Sequence, residues 1–340
     1  MTLNETQLPL DSSNMEFNMN LSEMDAKRAE SFFEIYEIEH IIKDEERPVF
    51  LGEKMDRKCR FCNKQSPEVT FKKDAHVIPQ LMGNAHLLSY FECDTCNSLF
   101  SKYEDSFANF TGIHRTVYAF LAKKKVPKFK NPQTGFLLTT QDNKLFTKVN
   151  GDLGDEIIID DENKTGIINT VRHTYVPMYI PKVLLKIAFC MLREHELKDY
   201  ELLRLFLSGS DYDEKFDGNT YLKVFSYVFP GPPIVKPKAL LYRKKQAHHL
   251  TLAPQKHLIV HFSNFVFQIC LPYNEKDKDM IGKTGSFHIY PLLIDKEFIE
   301  QKGDASESYT DFSSSKKRIG EKHSMKFSFG ERIRNVNIEN

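Results

Sequence analysis

The sequence has no tryptophan, no net charge and no apolar run long enough to span a bilayer, and each absence excludes something. Lysine plus arginine equals aspartate plus glutamate at 47 each. The global field therefore neither attracts nor repels a polyanion, and any nucleic-acid contact must come from local basic patches. The most apolar long segment, YIPKVLLKIAFCML (residues 179–192), carries Lys182 and Lys186. It falls short of the roughly twenty apolar residues that a spanning helix needs, so no membrane role is expected. The opening MTLNETQLPLDSSNMEFNMN has neither the basic nor the apolar region of a secretory signal, which makes a reducing, cytoplasmic location the expectation. What the chain has in quantity is phenylalanine, 27 residues of it, within a composition that is 41% hydrophobic and 28% charged. That is the balance of a soluble globular protein with Phe-rich cores, and 340 residues are ample for two domains.

Cysteine is also scarce, but its placement is informative. Four of the six form two Cys-x-x-Cys pairs, Cys59 with Cys62 and Cys93 with Cys96. In a reducing compartment such pairs point to zinc before disulfides, because each tight turn presents two thiolates and two turns complete a tetrahedron. A closed four-cysteine site has no open position, so this zinc is expected to be structural and any catalyst must lie elsewhere. Cys190 and Cys270 lie inside apolar runs and read as buried filler.

Along the chain, residues 1–20 read as a disordered or loosely docked tail and residues 21–48 as an N-terminal helix capped by Ser22. Its apolar face is expected to pack on its own chain or to form a dimer contact. The cysteine-bounded module occupies residues 49–118 and ends in a helical stretch, CNSLFSKYEDSFANFTGIHRTVYAFLA. Residues 119–302 read as a separate α+β domain that positions, senses or regulates. Within it, GFLLTTQDNKLFTKV and DEIIID alternate as strands, and the acidic run from Asp152 to Glu162 reads as a solvated turn. A helix follows Pro181, a second is expected from about His195 to Leu207, and TYLKVFSYVF, ALLYRK, KHLIVHF, FVFQICL and HIYPLLI read as strands. The third and fourth of these are separated by Ser263-Asn264, which suits a hairpin. Residues 303–340 read as a polar, partly mobile C-terminal segment.

Inside the cysteine module, DAHVIPQLMGN and ECDTCN are the informative words. Four elements occur in order: a knuckle, His76 with Pro79 in an H-x-x-P pattern, Gly83-Asn84, and a second knuckle followed directly by Asn97. Together they resemble the zinc-stapled branch of the HNH endonucleases, over about fifty residues from Cys59 to Glu104. The resemblance implies an α+β protein built on a ββα-metal core. It further implies a DNA phosphodiesterase in which His76 is the general base, Asn97 binds Mg²⁺ or a similar divalent ion, and Asn84 orients the histidine. The structural zinc would hold strand and helix together.

The sequence departs from the family where an Asp, Glu or His commonly precedes the histidine as a metal ligand, because Ala75 stands there. Glu104, seven residues after Asn97 on the same helical face, and Asp74, on the His76 face of a strand, are the candidate substitutes. His86 lacks the proline context and reads as a loop or DNA-contact residue, while Glu92 and Asp94 flank Cys93 without an assigned role. Lys123, Lys124, Lys125, Lys128 and Lys130 form the first candidate phosphate-tracking patch, with Arg243 to His249 and Lys316 to His323 as others.

Double-stranded DNA is thus the expected partner, with a homodimer and an activating ligand or protein at the C-terminal domain as further candidates. Prokaryotic HNH proteins of this layout often resemble anti-phage effectors, and such a defence role is an implication of the resemblance alone. The alternatives are a catalytically silent zinc module that binds nucleic acid or protein, and a scaffold subunit whose C-terminal domain carries the function.

Overall fold

The computed structural model describes residues 20–121, 125–142, 144–148, 154–209, 222–280, 285–303 and 305–332. The chain begins with α1 (Glu23–Ile35), β1 (Tyr36–Lys43), β2 (Val49–Leu51), β3 (Ala75–His76), β4 (Leu87–Ser89) and α2 (Asp94–Val117). Five short strands follow: β5 (Phe129–Lys130), β6 (Leu137–Gln141), β7 (Lys144–Lys148), β8 (Ile157–Asp160) and β9 (Thr165–Val171). Then come α3 (Tyr179–Met191), α4 (Glu201–Leu207), β10 (Lys223–Val228), β11 (Ile234–Lys244), β12 (Lys256–Ser263), β13 (Phe265–Cys270), α5 (Lys296–Lys302), β14 (Ser306–Asp311) and β15 (Lys322–Ser328). The mixture is α+β, as expected.

The large body is a six-stranded antiparallel sheet in the order β1-β11-β12-β13-β10-β14. Its central strands are buried on both faces. Leu258, Val260 and Phe262 of β12, with Phe265, Phe267 and Ile269 of β13, face a core shared with α3, α2 and the cysteine module. The alternate residues Ile259 and Val266 face a second core with Phe32, Tyr36, Tyr242 and Tyr290. This two-sided burial explains why β13 is apolar at every position but Gln268 and why the period-2 signal is weak there. The expected β12–β13 hairpin forms around Ser263-Asn264, with Ser263 at φ 49° and the Asn264 amide donating to the carbonyls of Phe229 and Gly231 at 2.9 Å.

Four expectations are corrected. The helix expected over residues 21–48 is capped by Ser22, whose Oγ accepts from the Asp25 amide at 3.1 Å, but it ends at Ile35. Tyr36–Lys43 instead forms the edge strand β1, because its β-branched isoleucines suit a pleated surface and β11 pairs with it from Tyr36↔Lys244 to Lys43↔Lys238, with one register shift between Ile38 and His40. The helix face buries Phe32 and Ile35 on its own chain. The polar segment 303–340 is structured as far as it is described: β14 closes the large sheet and β15 pairs with β9. The α+β body therefore extends beyond residues 119–302 at both ends. The expected strand HIYPLLI is irregular, since Pro291 lacks an amide hydrogen and side chains engage the backbone instead. Tyr290 N donates to Gln268 Oε1 at 2.7 Å, and Leu292 N donates to Asp25 Oδ1 at 3.1 Å. Finally, the helix expected from His195 to Leu207 is a 3₁₀ segment, Glu194–Tyr200, followed by α4.

Elsewhere the hairpin β6–β7 and the strand β8 form as expected, and β8 pairs with β9, whose residues carried no strand expectation. At the end of β8, Asp160 Oδ1 accepts the amides of Glu162 and Asn163, as a solvated turn requires, while residues 149–153 of that region lie outside the described residues. Residues 1–19 of the expected tail, and Lys123 and Lys124 of the first basic patch, also lie outside them. Among the described residues, no helix is long and apolar enough to cross a membrane.

Candidate functional site

The cysteine module is a ribbon of very short strands against one long helix. β3 pairs antiparallel with β4 through Ala75↔Ser89 and His76↔Leu88, β2 adds a parallel neighbour to β4, and α2 begins at the second knuckle. Cys59 and Cys96 Sγ lie 3.7 Å apart, Cys62 and Cys93 Sγ lie 3.8 Å apart, and all four sulfurs fall within 4.8 Å of one another. Zinc–sulfur bonds of about 2.3 Å in a tetrahedron separate the sulfurs by about 3.8 Å, so the cluster fits zinc. The Cys96 thiol beside it holds Cys59 down at about 5, while burial pushes Cys93 up to about 12. A bound zinc would hold all four as thiolates.

A two-residue strand makes too few ladder bonds to place a side chain, and four polar braces supply the rest. Asn84 is buried, its Nδ2 donating to the carbonyls of Ile78 and Leu87 and its Oδ1 accepting the Leu87 amide at 2.8 Å. All of its amide is spent on the loop between β3 and β4, so the residue expected among the catalytic groups is a brace for the His76 ribbon. Asp44, 6% exposed, accepts the amides of Ala85 and His86 at 3.1 and 2.7 Å and ties the same loop to the end of β1. His86 Nδ1 bonds to the Glu45 carbonyl at 2.8 Å, a structural position for the residue read as a loop or DNA contact.

The two acids flanking Cys93 hold the other side of the ribbon. Asp94 accepts the amides of Lys72 and Lys73 at 3.1 and 2.9 Å, together with the Thr70 hydroxyl. Burial works against its charge, but these bonds keep the carboxyl below the usual carboxylate range. Glu92, fully buried, pairs with the equally buried Lys186 of α3 at 3.0 Å, and Lys186 Nζ also donates to the His76 carbonyl. Burial pushes Glu92 up to about 7. For Lys186 burial disfavours the ammonium, and the carboxylates of Glu92 and Glu104 outweigh it, holding the pKa above its ordinary value.

His76 is half-buried on β3, and Ala75 is fully buried on the opposite face. An acid at position 75 would thus enter the core, where a carboxylate is costly without a partner. Asp74 is exposed directly before β3. Asn97 is half-buried in the first turn of α2, one residue past Cys96. Phe100 and Glu104 follow it on the same helical face. Pro79, Phe100, Tyr103, Glu104, Lys182, Val183 and Lys186 line one narrow crevice, so the H-x-x-P segment lies against the Asn97 face of α2. Glu104 shares that crevice with two ammonium groups, a poor setting for a further cation.

Of the basic patches, Lys125, Lys128 and Lys130 are exposed. In the second, Arg243 pairs with Glu37 at 2.8 Å, Lys244 donates to the carbonyls of Thr251 and Ala253, and Lys245 donates to that of Phe33, so three of its cations serve the fold. In the third, His323 is packed between His114 and Arg172.

Residues 59–110 match the family model of the HNH endonucleases. No curated protein and no solved structure matches the chain. The match spans both knuckles, His76, Asn84 and most of α2, and it stops before α3. The HNH module therefore contains the candidate base and metal ligand, while Lys186 lies outside the matched segment. From the sequence alone Glu92 and Asp94 have no assigned role, and Lys186 argues only against a membrane span. A lysine inside so apolar a helix was the available signal, since such a charge requires a buried partner.

Proposed function

We propose that the protein is a metal-dependent endonuclease that hydrolyses DNA phosphodiester bonds at the HNH module, with His76 as general base. The HNH family match carries this reading, supported by the geometry that pins the His76 strand from several sides at once. Imidazole is the side chain whose chemistry best suits removal of a proton from an attacking water near neutral pH. Asn97 would hold the divalent ion, Mg²⁺ or similar, through its amide oxygen. Asp74 is the better second ligand than Glu104, because it is exposed on the His76 face and is not crowded by Lys182 and Lys186. The ion would neutralise charge on the scissile phosphate and the leaving oxygen. The chain's own groups orient the imidazole, receive the proton and present Lys125, Lys128 and Lys130 to the backbone. Each chain carries one such site, so cutting both strands in one event calls for two chains. A part in defence against foreign DNA and an activator at the large sheet belong to the same proposal.

Ala75 favours a second reading, a zinc module that binds nucleic acid without cutting it. A plasmid-nicking assay with Mg²⁺ or Mn²⁺ separates the two. Wild type is expected to nick, and His76→Ala to lose about 10²- to 10⁴-fold of the rate with its zinc content unchanged. Equal inertness of both folded, zinc-loaded proteins would sink the enzyme reading.

A further inference from the structure

Helix α3 packs between the HNH module and the large sheet, beside the direct contact of Phe107 of α2 with Phe262 and Phe267, and two cations join it to the module: half-buried Arg60 and buried Lys186. From the module, Arg60 in the first knuckle donates to the carbonyls of Phe189, Cys190 and Leu192 at 3.0–3.2 Å, closing the C-terminal end of α3. From α3, Lys186 reaches the other way, to the Glu92 carboxylate and the His76 carbonyl. The rest of α3 is buried almost all round, against the sheet and the module alike.

We propose that Lys186 is a positioning residue for the nuclease site, setting the backbone of His76 from outside the HNH module; this rests on the reading of His76 as the base. β3 contributes two residues and His76 one of its two pairs, so the ladder alone leaves the strand free to shift. An ammonium on the His76 carbonyl, itself held by Glu92, fixes that backbone with a charge-assisted bond from a buried side chain. Glu92 immediately precedes Cys93, so the same contact ties the His76 strand to the zinc knuckle from which Asn97 projects. Base and metal ligand are thereby referred to one rigid point, and misplacement of about 1 Å in such a site can cost about 10²-fold in rate.

The test uses the full chain with both charges removed together, Lys186→Met with Glu92→Gln, so that no carboxylate is left buried and unpaired. Zinc content and thermal unfolding establish that the variant folds. The His76 imidazole resonance, assigned by its loss in His76→Ala, is followed in histidine-labelled protein, and nicking kinetics are measured beside it. The expected result is a shifted or broadened His76 resonance and a kcat at least about tenfold lower, with KM unchanged, because preorganisation acts on the reacting geometry and not on DNA binding. An unchanged resonance, or an unchanged kcat, overturns the proposal. Glu92→Gln alone takes the carboxylate from the ammonium that sits on the carbonyl and is expected to fall between wild type and the double variant in both readouts. A His76 resonance and a kcat both unchanged in this variant would overturn the role given to the pair, even if the double variant does not fold. Should wild type fail to nick, the nuclease reading falls and the His76 resonance decides the positioning role by itself.

Discussion

The HNH module and the six-stranded sheet solve the same problem, holding a chain in one place, by opposite means. The sheet relies on apolar burial on two faces, with stacked phenylalanines such as Phe262, Phe265 and Phe267 at centroid separations of 5.3–5.9 Å. The module has strands of two and three residues and rests on directional contacts: four sulfurs, the Asn84 amide, Asp44, Asp94 and the Lys186–Glu92 pair. Apolar burial tolerates small displacements because it scales with area, whereas hydrogen bonds and coordination fix atoms to tenths of an ångström. The region that holds the candidate base and metal ligand is the one rich in directional contacts.

The comparison breaks most visibly at the metal. Cys59→Ser, or a strong chelator, removes a contribution of order 10 kcal/mol in a small structural zinc site and is expected to unfold the module. By hydrogen exchange, amides of β3, β4 and the first turns of α2 should lose protection while those of β12 and β13 keep most of theirs. Uniform loss would mean that the two regions fold as one unit.

The converse cut is Phe32→Ala. Phe32 is fully buried on the sheet face away from the module, against Tyr36, Tyr242 and Tyr290, and its truncation is expected to cost about 3–5 kcal/mol. Denaturant unfolding measures the loss, and zinc content should not change. A smaller effect is expected for Asn84→Ala, about 1–3 kcal/mol, since it strands buried backbone groups of Ile78 and Leu87. Its sharper signature is a nicking rate that falls further than stability does. Parallel decline of the two would make Asn84 a fold residue only.

The same contrast governs what could be read from the chain alone. The cysteine cluster and the helix after Cys96 are legible in the sequence because ligand chemistry and helix formation are local. The hairpin at Ser263-Asn264 was legible for the same reason. The end of α1 at Ile35 was not, because Tyr36–Lys43 becomes a strand only through β11, about two hundred residues away. Residues 306–311 and 322–328 looked merely polar, and they pair because β10 and β9 offer them edges. Nothing local announced that Lys186 would meet Glu92 across 94 residues of chain, although its place among apolar neighbours marked it as a residue needing an explanation.

The chain enters the module from β1 and returns to the same sheet after α3, so the module is a long excursion from a body whose first strand precedes it. A graft of residues 59–110 into a foreign scaffold would carry the sulfurs, the histidine and the asparagine, but not the lysine that meets the His76 carbonyl or the helix end that receives Arg60. The smallest transplantable unit of this module is accordingly larger than the segment that matches the family model. Designs that borrow it should take α3 along.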